Sequence, residues 1–427
     1  MTTARKVAII GGARIPFARS NTVYSTKSNS DMLTAALKAV VDKYQLHGER
    51  LGECAAGAVL KHSRDFNLTR ECVLSSGLSP QTPAYDVQQA CGTGLEAAIL
   101  VGNKIALGQI EAGISGGTDT TSDAPIELND KLRKILLAAN RGKTTGQRLA
   151  AFAKFRPGML APATPNNGEP RTRLSMGQHC ELMAKEWKIP RAAQDELAYE
   201  SHKKMAAAYD AGFYDDLIVE FAGVKRDNNL RPDISLEKLA SLGPAFDRKS
   251  GDGTLTAGNS TPLTDGASAV LLASDEWAKA HGFKAQAYLT HCETAAVDFA
   301  GAGKEGLLMA PAYAVPRMLD RAGIKLQDFD FYEIHEAFAA QVLCTLKAWE
   351  DPRFCKDKLG RDKPLGSIDR SKMNIKGGSL AAGHPFAATG GRILATLAKI
   401  IDQAGKGRGL ISICAAGGMG VVAIVEK

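Results

Sequence analysis

The chain reads as an α/β protein, a sheet with helices packed on its faces, and three observations predict this. Short apolar runs of strand length alternate with helical periodicity near both ends of the 427 residues. One of the corners between the two patterns carries a cysteine, Cys91, flanked by Gly92 and Gly94. A faint repeat is also present: reactive residue, helix, strand and Gly-Gly occur from Cys91 to Gly117 and again from His384 to Gly418. The alternation predicts a mostly parallel sheet.

Composition sets the class. With 44% hydrophobic and 23% charged residues, the chain has ample core for two or three domains. A formal charge of +7 suits an anionic substrate or surface. Aromatic residues make up only 6% and do not interleave with basic ones, which argues against nucleic-acid binding. The eight cysteines are scattered without a C-x-x-C pair, so neither a disulfide framework nor a zinc ribbon is expected, and a reducing, cytoplasmic setting follows. No apolar run reaches membrane-spanning length.

In order, residues 6–10 read as a buried strand, and Asp31 caps a helix through Val41. Residues 55–60 form the next strand. Residues 83–87 lead to the Cys91 corner, and Leu95, Ala98, Ile99, Gly102 and Ile105 then recur at helical spacing. Residues 112–119 end in Gly116-Gly117-Thr118-Asp119. The pattern breaks at about residue 122. Eight basic residues (Lys131, Arg133, Lys134, Arg141, Lys143, Arg148, Lys154 and Arg156) follow without an acid among them, interleaved with Leu132, Ile135, Leu136, Leu149, Phe152 and Phe155. This segment suits a solvated helical excursion, a membrane-surface or partner-docking helix, or a positive rim for a phosphate-bearing ligand. Gly142-Lys143-Thr144 mimics the end of a P-loop, but Leu137 stands where the first glycine is required, which excludes a nucleotide site. Residues 122–250 as a whole form an insertion of helices and loops.

The α/β pattern returns with Thr256-Ala257-Gly258-Asn259-Ser260-Thr261 and the strand 269–272, and starts afresh at 285–289. His335-Glu336-Ala337-Phe338 opens a helix after strand 331–334. His384 precedes a helix through Leu394 to Ile401, and strand 410–413 ends in Cys414-Ala415-Ala416-Gly417-Gly418.

Cys91, His335, His384 and Cys414 therefore sit at ends of strands or starts of helices, where parallel α/β folds bind ligands. A cysteine and a histidine there form a possible nucleophile–base pair, and a second cysteine on a Gly-rich loop could exchange a proton with a substrate carbon. A thiol at a helix N-terminus also feels the positive end of the macrodipole, which predicts a thiolate of low pKa. The Cys91 corner alone is equally compatible with a buried, inert cysteine. No His/Cys spacing matches a metal-ligand pattern, so no metal is expected.

At this point the sequence resembles the thiolase family along essentially its whole length. The resemblance is carried by Cys91-Gly92-Thr93-Gly94, Gly116-Gly117-Thr118-Asp119, Met176-Gly177, Gln194-Asp195 and Thr256-Ala257-Gly258-Asn259. Asp265-Gly266-Ala267, Glu336-Ala337-Phe338, Gly383-His384-Pro385 and Cys414 with its glycines complete it. It implies a duplicated αβαβα layered fold with two mixed sheets: an N-terminal domain of 1–121 plus 251–279, the inserted loop domain 122–250, and a C-terminal domain 280–427. It further implies a 3-ketoacyl-CoA thiolase of fatty-acid β-oxidation, with a short-chain acetoacetyl-CoA thiolase or a non-catalytic acyl-CoA carrier as alternatives. Cys91 would be the nucleophile, His384 its base, Cys414 the acid/base toward the acetyl carbanion, and His335 a further catalytic group. Oxyanion sites would be built by His384 with a group near His335, and by the N–H groups of Cys91 and Ala416. Ala257, Ser260, Thr261, Met176 and Phe338 would contact substrate or CoA. CoA is then a substrate and no other cofactor is implied; the partners implied are a homodimer or homotetramer mate, a hydratase/dehydrogenase α subunit, and a membrane met through 131–156. The sequence departs from the common Asn-Glu-Ala-Phe of many thiolases by having His335, as in those resembling the β subunit of fatty-acid oxidation complexes.

Overall fold

The computed structural model describes residues 4–301 and 304–427. Its strands are β1 (Ala8–Arg14), β2 (Ala18–Arg19), β3 (Glu53–Ala56), β4 (Ala84–Asp86), β5 (Ala112–Asp119), β6 (Thr264–Ala273), β7 (Ala287–Ala296), β8 (Phe331–Ile334), β9 (Arg408–Ala415) and β10 (Met419–Glu426). Nine of them run in the order β4-β3-β5-β6-β1-β7-β10-β9-β8, and β2 pairs with β6. The order is nearly a mirror image about the β1–β7 junction. The first half runs inward as β4, β3, β5, β6, β1, and the second outward as β7, β10, β9, β8, with each half's first strand at the centre. Two residue pairs join them there, Ala8↔Tyr288 and Ile9↔Ala287. The faint repeat in the sequence is thus a duplication of topology.

The expectation of a mostly parallel sheet is corrected. Only β3·β4, β3·β5 and β8·β9 are parallel; the other neighbours on the path are antiparallel. Strand–helix alternation cannot reveal this, because β6 returns beside β5 only after the long insertion and β10 returns beside β9 through a tight hairpin. That hairpin turns on Gly417 and Gly418, both at positive φ (79° and 75°). A Cβ on Gly418 would stand 2.7 Å from the Phe299 ring, so the turn requires glycine for space as well as for φ.

Between the two halves lie the helices Thr93–Ala106 and Ala388–Ala404, equivalent members of the two repeats. Both pack into one core with Ile9, Val270, Ile411, Ile413 and Val421. Of the seventeen residues of Ala388–Ala404, fourteen are buried, Arg392 and Lys399 among them, so it is enclosed nearly all round and central. The two helices meet at glycines. A Cβ on Gly94 would lie 2.6 Å from Ala387 O and 2.9 Å from Gly391 N, and one on Gly390 would overlap Leu95 N.

The insertion is anchored to the first half by a buried bidentate ion pair. Arg14 Nη1 and Nη2 reach Asp227 Oδ1 and Oδ2 at 2.6 and 2.7 Å, while Phe17 N and Tyr209 OH donate to the same carboxylate. Every acceptor position of the carboxylate is used, which makes such a pair tolerable in a dry interior.

Gly390→Ala is expected to destabilise the fold by about 1–3 kcal/mol, the usual cost of overpacking a close contact. Urea unfolding would measure it. An unchanged midpoint would show that the two helices can move apart.

Candidate active site

The Cys91 corner is built as a stapled elbow. Ala90, immediately before the cysteine, takes φ 47°, a left-handed conformation that turns the chain sharply. The Thr93 hydroxyl holds the turn from inside, accepting from Gln89 N at 2.8 Å and donating to Ala90 O at 2.7 Å. The helix then starts at Thr93, two residues after the thiol.

His384 arrives from the second repeat. Its approach segment is fixed by His384 N donating to Thr264 Oγ1 and by Ala387 N donating to Asp119 Oδ2. The buried Asp119 also accepts from Val59 N and Leu60 N, so one carboxylate at the end of β5 ties together three segments. The result is a contact of 3.1 Å between His384 Nε2 and Cys91 Sγ, across 293 residues of sequence. His384 Nδ1 is 2.6 Å from Thr389 Oγ1. The tautomer with Nδ1–H donating to Thr389 leaves Nε2 as an acceptor facing the thiol; the other has Nε2–H donating to the sulfur.

His335, at the end of β8, stacks against His384 at a tilted 4.2 Å between ring centroids. Its Nδ1 lies 2.8 Å from Ser379 Oγ, and its Nε2 is buried without a partner. Next to it, Glu336 accepts from Ser201 Oγ, Asn374 Nδ2 and Leu380 N, which pins the short helix Ser379–Ala382 under the site. Cys414 ends β9 in an apolar cluster with Leu255, Met309 and Phe338. Beyond it, the main-chain amides of Ala416 and of Cys91 itself favour the charged form of Cys91 Sγ.

The expectation of a low-pKa thiolate is corrected. Burial pushes the Cys91 thiol up to about 12, against the lowering effect of those main-chain amides. Burial, aided by the Arg392 charge, pulls His384 down to about 3. Cys414 is likewise raised, by burial and by Cys91 nearby. The helix dipole that suggested a thiolate is outweighed by desolvation, and the resting pair is a neutral thiol and a neutral imidazole.

Beside this centre a cavity of about 360 Å³ is lined by Ala257, Gly258 and Ser260 together with Arg19, His202, Arg231 and Lys238. The strap Ser260–Leu263 runs from it to the centre. Ser260 bridges Phe338, and Leu263 bridges His384, a span of about 10 Å for three extended residues. Asn259 fixes the strap's start by donating to Asp195 Oδ1 and accepting from Thr256 N. Of the residues expected to contact CoA, Ala257 and Ser260 line this cavity. Thr261 instead spends its hydroxyl on Ala337 O at 3.0 Å, and Met176 and Phe338 belong to the apolar cluster around Cys414. None of the eight basic residues at 131–156 lines the cavity.

Residues 7–276 match the thiolase N-terminal domain, and residues 283–427 match the thiolase C-terminal domain. The chain belongs to the thiolase family. It is 41% identical over 427 residues to a 3-ketoacyl-CoA thiolase of Shewanella loihica, covering 99% of this chain and 97% of that one. It is also 41% identical to the Shewanella sediminis protein of the same name, covering 100% and 98%. Among solved structures, the acetyl-CoA acetyltransferase of Bacillus anthracis superposes with a TM-score of 0.82 at 27% identity over the whole of both chains. Human mitochondrial 3-ketoacyl-CoA thiolase in complex with CoA superposes at 0.80 and 27%, covering 99% of this chain and 98% of that one. The thiolase fold is thereby established, with one continuous mixed sheet where two were expected.

The sequence alone does not single out Ser379, Arg392 or Glu336 as individual residues of this thiolase site. Arg392 has a signal: it and Lys399 are the two charges in the helical run Ala388 to Ile401, which is otherwise apolar, glycine or threonine.

An imidazole accepts a proton only when neutral, so the lowered pKa of His384 extends the range in which it could serve as a base toward acid. The acylation rate of Cys91 is expected to show no acidic limb near pH 6.5. A fall of kcat/KM with an apparent pKa close to the ordinary histidine value would contradict the neutral pair.

Proposed function

We propose that this chain is an acetyl-CoA C-acyltransferase that cleaves 3-ketoacyl-CoA with CoA to acetyl-CoA and a shortened acyl-CoA, degradatively, on medium or long chains. The observation that carries the proposal is the 3.1 Å contact of Cys91 Sγ with His384 Nε2, with Cys414 beside the thiol. His384 takes the Cys91 proton as sulfur attacks the 3-keto carbon. The bond between carbons 2 and 3 breaks, its electron pair passing to the acetyl-CoA enolate. The Cys414 thiol gives its proton to carbon 2, releasing acetyl-CoA and leaving an acyl-Cys91 thioester. A second CoA thiol then gives its proton to the Cys414 thiolate and attacks the thioester. Cys91 leaves with the proton held by His384, and the site is reset. No free thiolate needs to exist before substrate arrives, which suits the neutral resting pair.

In this reading the cavity beside Ala257 and Ser260 takes CoA, with Arg19, Arg231 and Lys238 meeting its phosphates. The Ala416 and Cys91 N–H groups, and His384 with His335, would hold the oxyanions. Cys91→Ala is expected to abolish thiolysis while leaving the fold intact. Rates of the intact enzyme across 3-ketoacyl-CoA chain lengths test the substrate class. A rate confined to acetoacetyl-CoA would favour the short-chain reading, which the likeness to an acetyl-CoA acetyltransferase supports.

The insertion supports a further contact. Its helices Asp130–Arg141 and Thr145–Ala151 expose Leu136, Leu137 and Leu149, followed by exposed Phe152 and Leu160, among the eight basic residues. Among the described residues no helix is long and apolar enough to cross a membrane. The pattern fits lying on an anionic bilayer. The protein is expected to sediment with vesicles containing phosphatidylglycerol and to be released by salt. Absence from such vesicles would favour a hydratase/dehydrogenase subunit as occupant of this face.

A further inference from the structure

His335 has one unused atom in the site, the buried Nε2. What that nitrogen can do depends on whether it carries the ring proton, and this is decided on the other side of the ring. Nδ1 lies 2.8 Å from Ser379 Oγ, and Ser379 Oγ also receives a hydrogen bond of 2.9 Å from Arg392 Nη2. A guanidinium can only donate. Ser379 therefore accepts from Arg392, and its own hydrogen needs an acceptor. Among the described residues, the only hydrogen-bond partners of this hydroxyl are Arg392 and His335. The hydrogen must go to Nδ1, since the alternative leaves a fully buried hydroxyl hydrogen unpaired. A neutral ring that accepts at Nδ1 carries its proton on Nε2.

We infer that Arg392 and Ser379 are positioning residues which hold His335 as its Nε2–H tautomer, so that it presents a neutral N–H donor to a substrate oxygen beside Cys91. The nature of that oxygen rests on the thiolase reading; the tautomer does not. The arrangement fixes His335 as donor; His384 as acceptor toward the thiol belongs to the thiolase reading. Burial, the adjacent His384 and the Arg392 charge all oppose a second proton on His335, which keeps the donor uncharged. Glu336 serves the same end by fixing the Ser379 helix through Leu380 N. The tautomer also separates this site from a metal centre. Cys91, His335 and His384 offer ligand atoms within 4.8 Å of one another, but a protonated Nε2 has no lone pair to give an ion.

Long-range proton–nitrogen correlation on protein labelled with 15N-histidine tests this directly, with His335 assigned by its absence in His335→Asn. The expected result is a protonated Nε2 and an unprotonated Nδ1; the reverse tautomer, or a doubly protonated ring, overturns the inference. In thiolysis, Ser379→Ala is expected to lower kcat about tenfold with KM for CoA unchanged, a fraction of the roughly 10²–10³ that loss of a whole oxyanion donor costs. Ser379→Thr, which keeps the hydroxyl, should recover most of it. Asparagine at 335 donates without any tautomer to choose, so adding Ser379→Ala to His335→Asn should cost no more than about twofold. An equal loss in both backgrounds would assign Ser379 a merely structural role and overturn the inference. If Ser379→Ala fails to fold, the tautomer in the unmodified protein decides. Absence of thiolysis in the unmodified protein would refute the thiolase reading while leaving the tautomer measurement intact.

Discussion

The site depends on how closely two helices can approach. Cys91 lies three residues before Gly94, and His384 lies six before Gly390, so each reactive side chain is tethered to the glycine at which its helix touches the other. With any side chain at those glycines, the Ala387 carbonyl and the Leu95 amide would have to withdraw. The thiol and imidazole would then lose a contact that only 3.1 Å makes useful. The Asp119 carboxylate adds a second constraint from the sheet, since it fixes the Ala387 amide in the frame of β5. Packing density at a helix crossing thus determines whether a proton can pass between the two repeats.

Desolvation sets the protonation states that this geometry uses. The same closeness that joins Cys91 to His384 keeps bulk water from both, and burial is the largest influence on each. Both helices present their N-termini to the site, and Arg392 stands behind it. A field of this sign disfavours imidazolium at rest and favours negative charge once substrate brings an oxygen that can become an oxyanion. The site is therefore organised for charge that appears during reaction, and holds little beforehand.

Much of this was legible in the sequence, for reasons that can be named. The Cys91 corner was readable because a strand, a helix and two glycines are local signals, and the structure adds only the Ala90 twist and the Thr93 staple. The two-fold repeat was readable as an order of elements. What stayed hidden depends on distant partners. Strand direction could not be read, because β6 reaches β5 across an insertion of more than a hundred residues. The cations of the cavity, Arg19, Arg231 and Lys238, are dispersed along the chain, while the conspicuous basic run at 131–156 lies elsewhere. The thiol's proton affinity was misjudged because a helix N-terminus is visible in sequence and burial is not.

Duplication explains why the two histidines can take opposite parts. In the proposed reaction the first repeat supplies the nucleophile at its helix corner. The second repeat places His384, the proposed base, at the equivalent corner, and its neighbouring parallel strands β8 and β9 bring His335 and Cys414 to adjacent strand ends. Each repeat alone is incomplete: the first holds a buried thiol with no imidazole against it, and the second holds two imidazoles and Cys414 without the thiol that His384 contacts. Distinct roles for adjacent, similarly buried rings then require distinct hydrogen-bond partners. Ser379, whose lone pair is taken by Arg392, and Thr389, which meets no such obligate donor, make that difference. The asymmetry needed for chemistry thus enters a nearly symmetric scaffold in the layer behind the reacting groups.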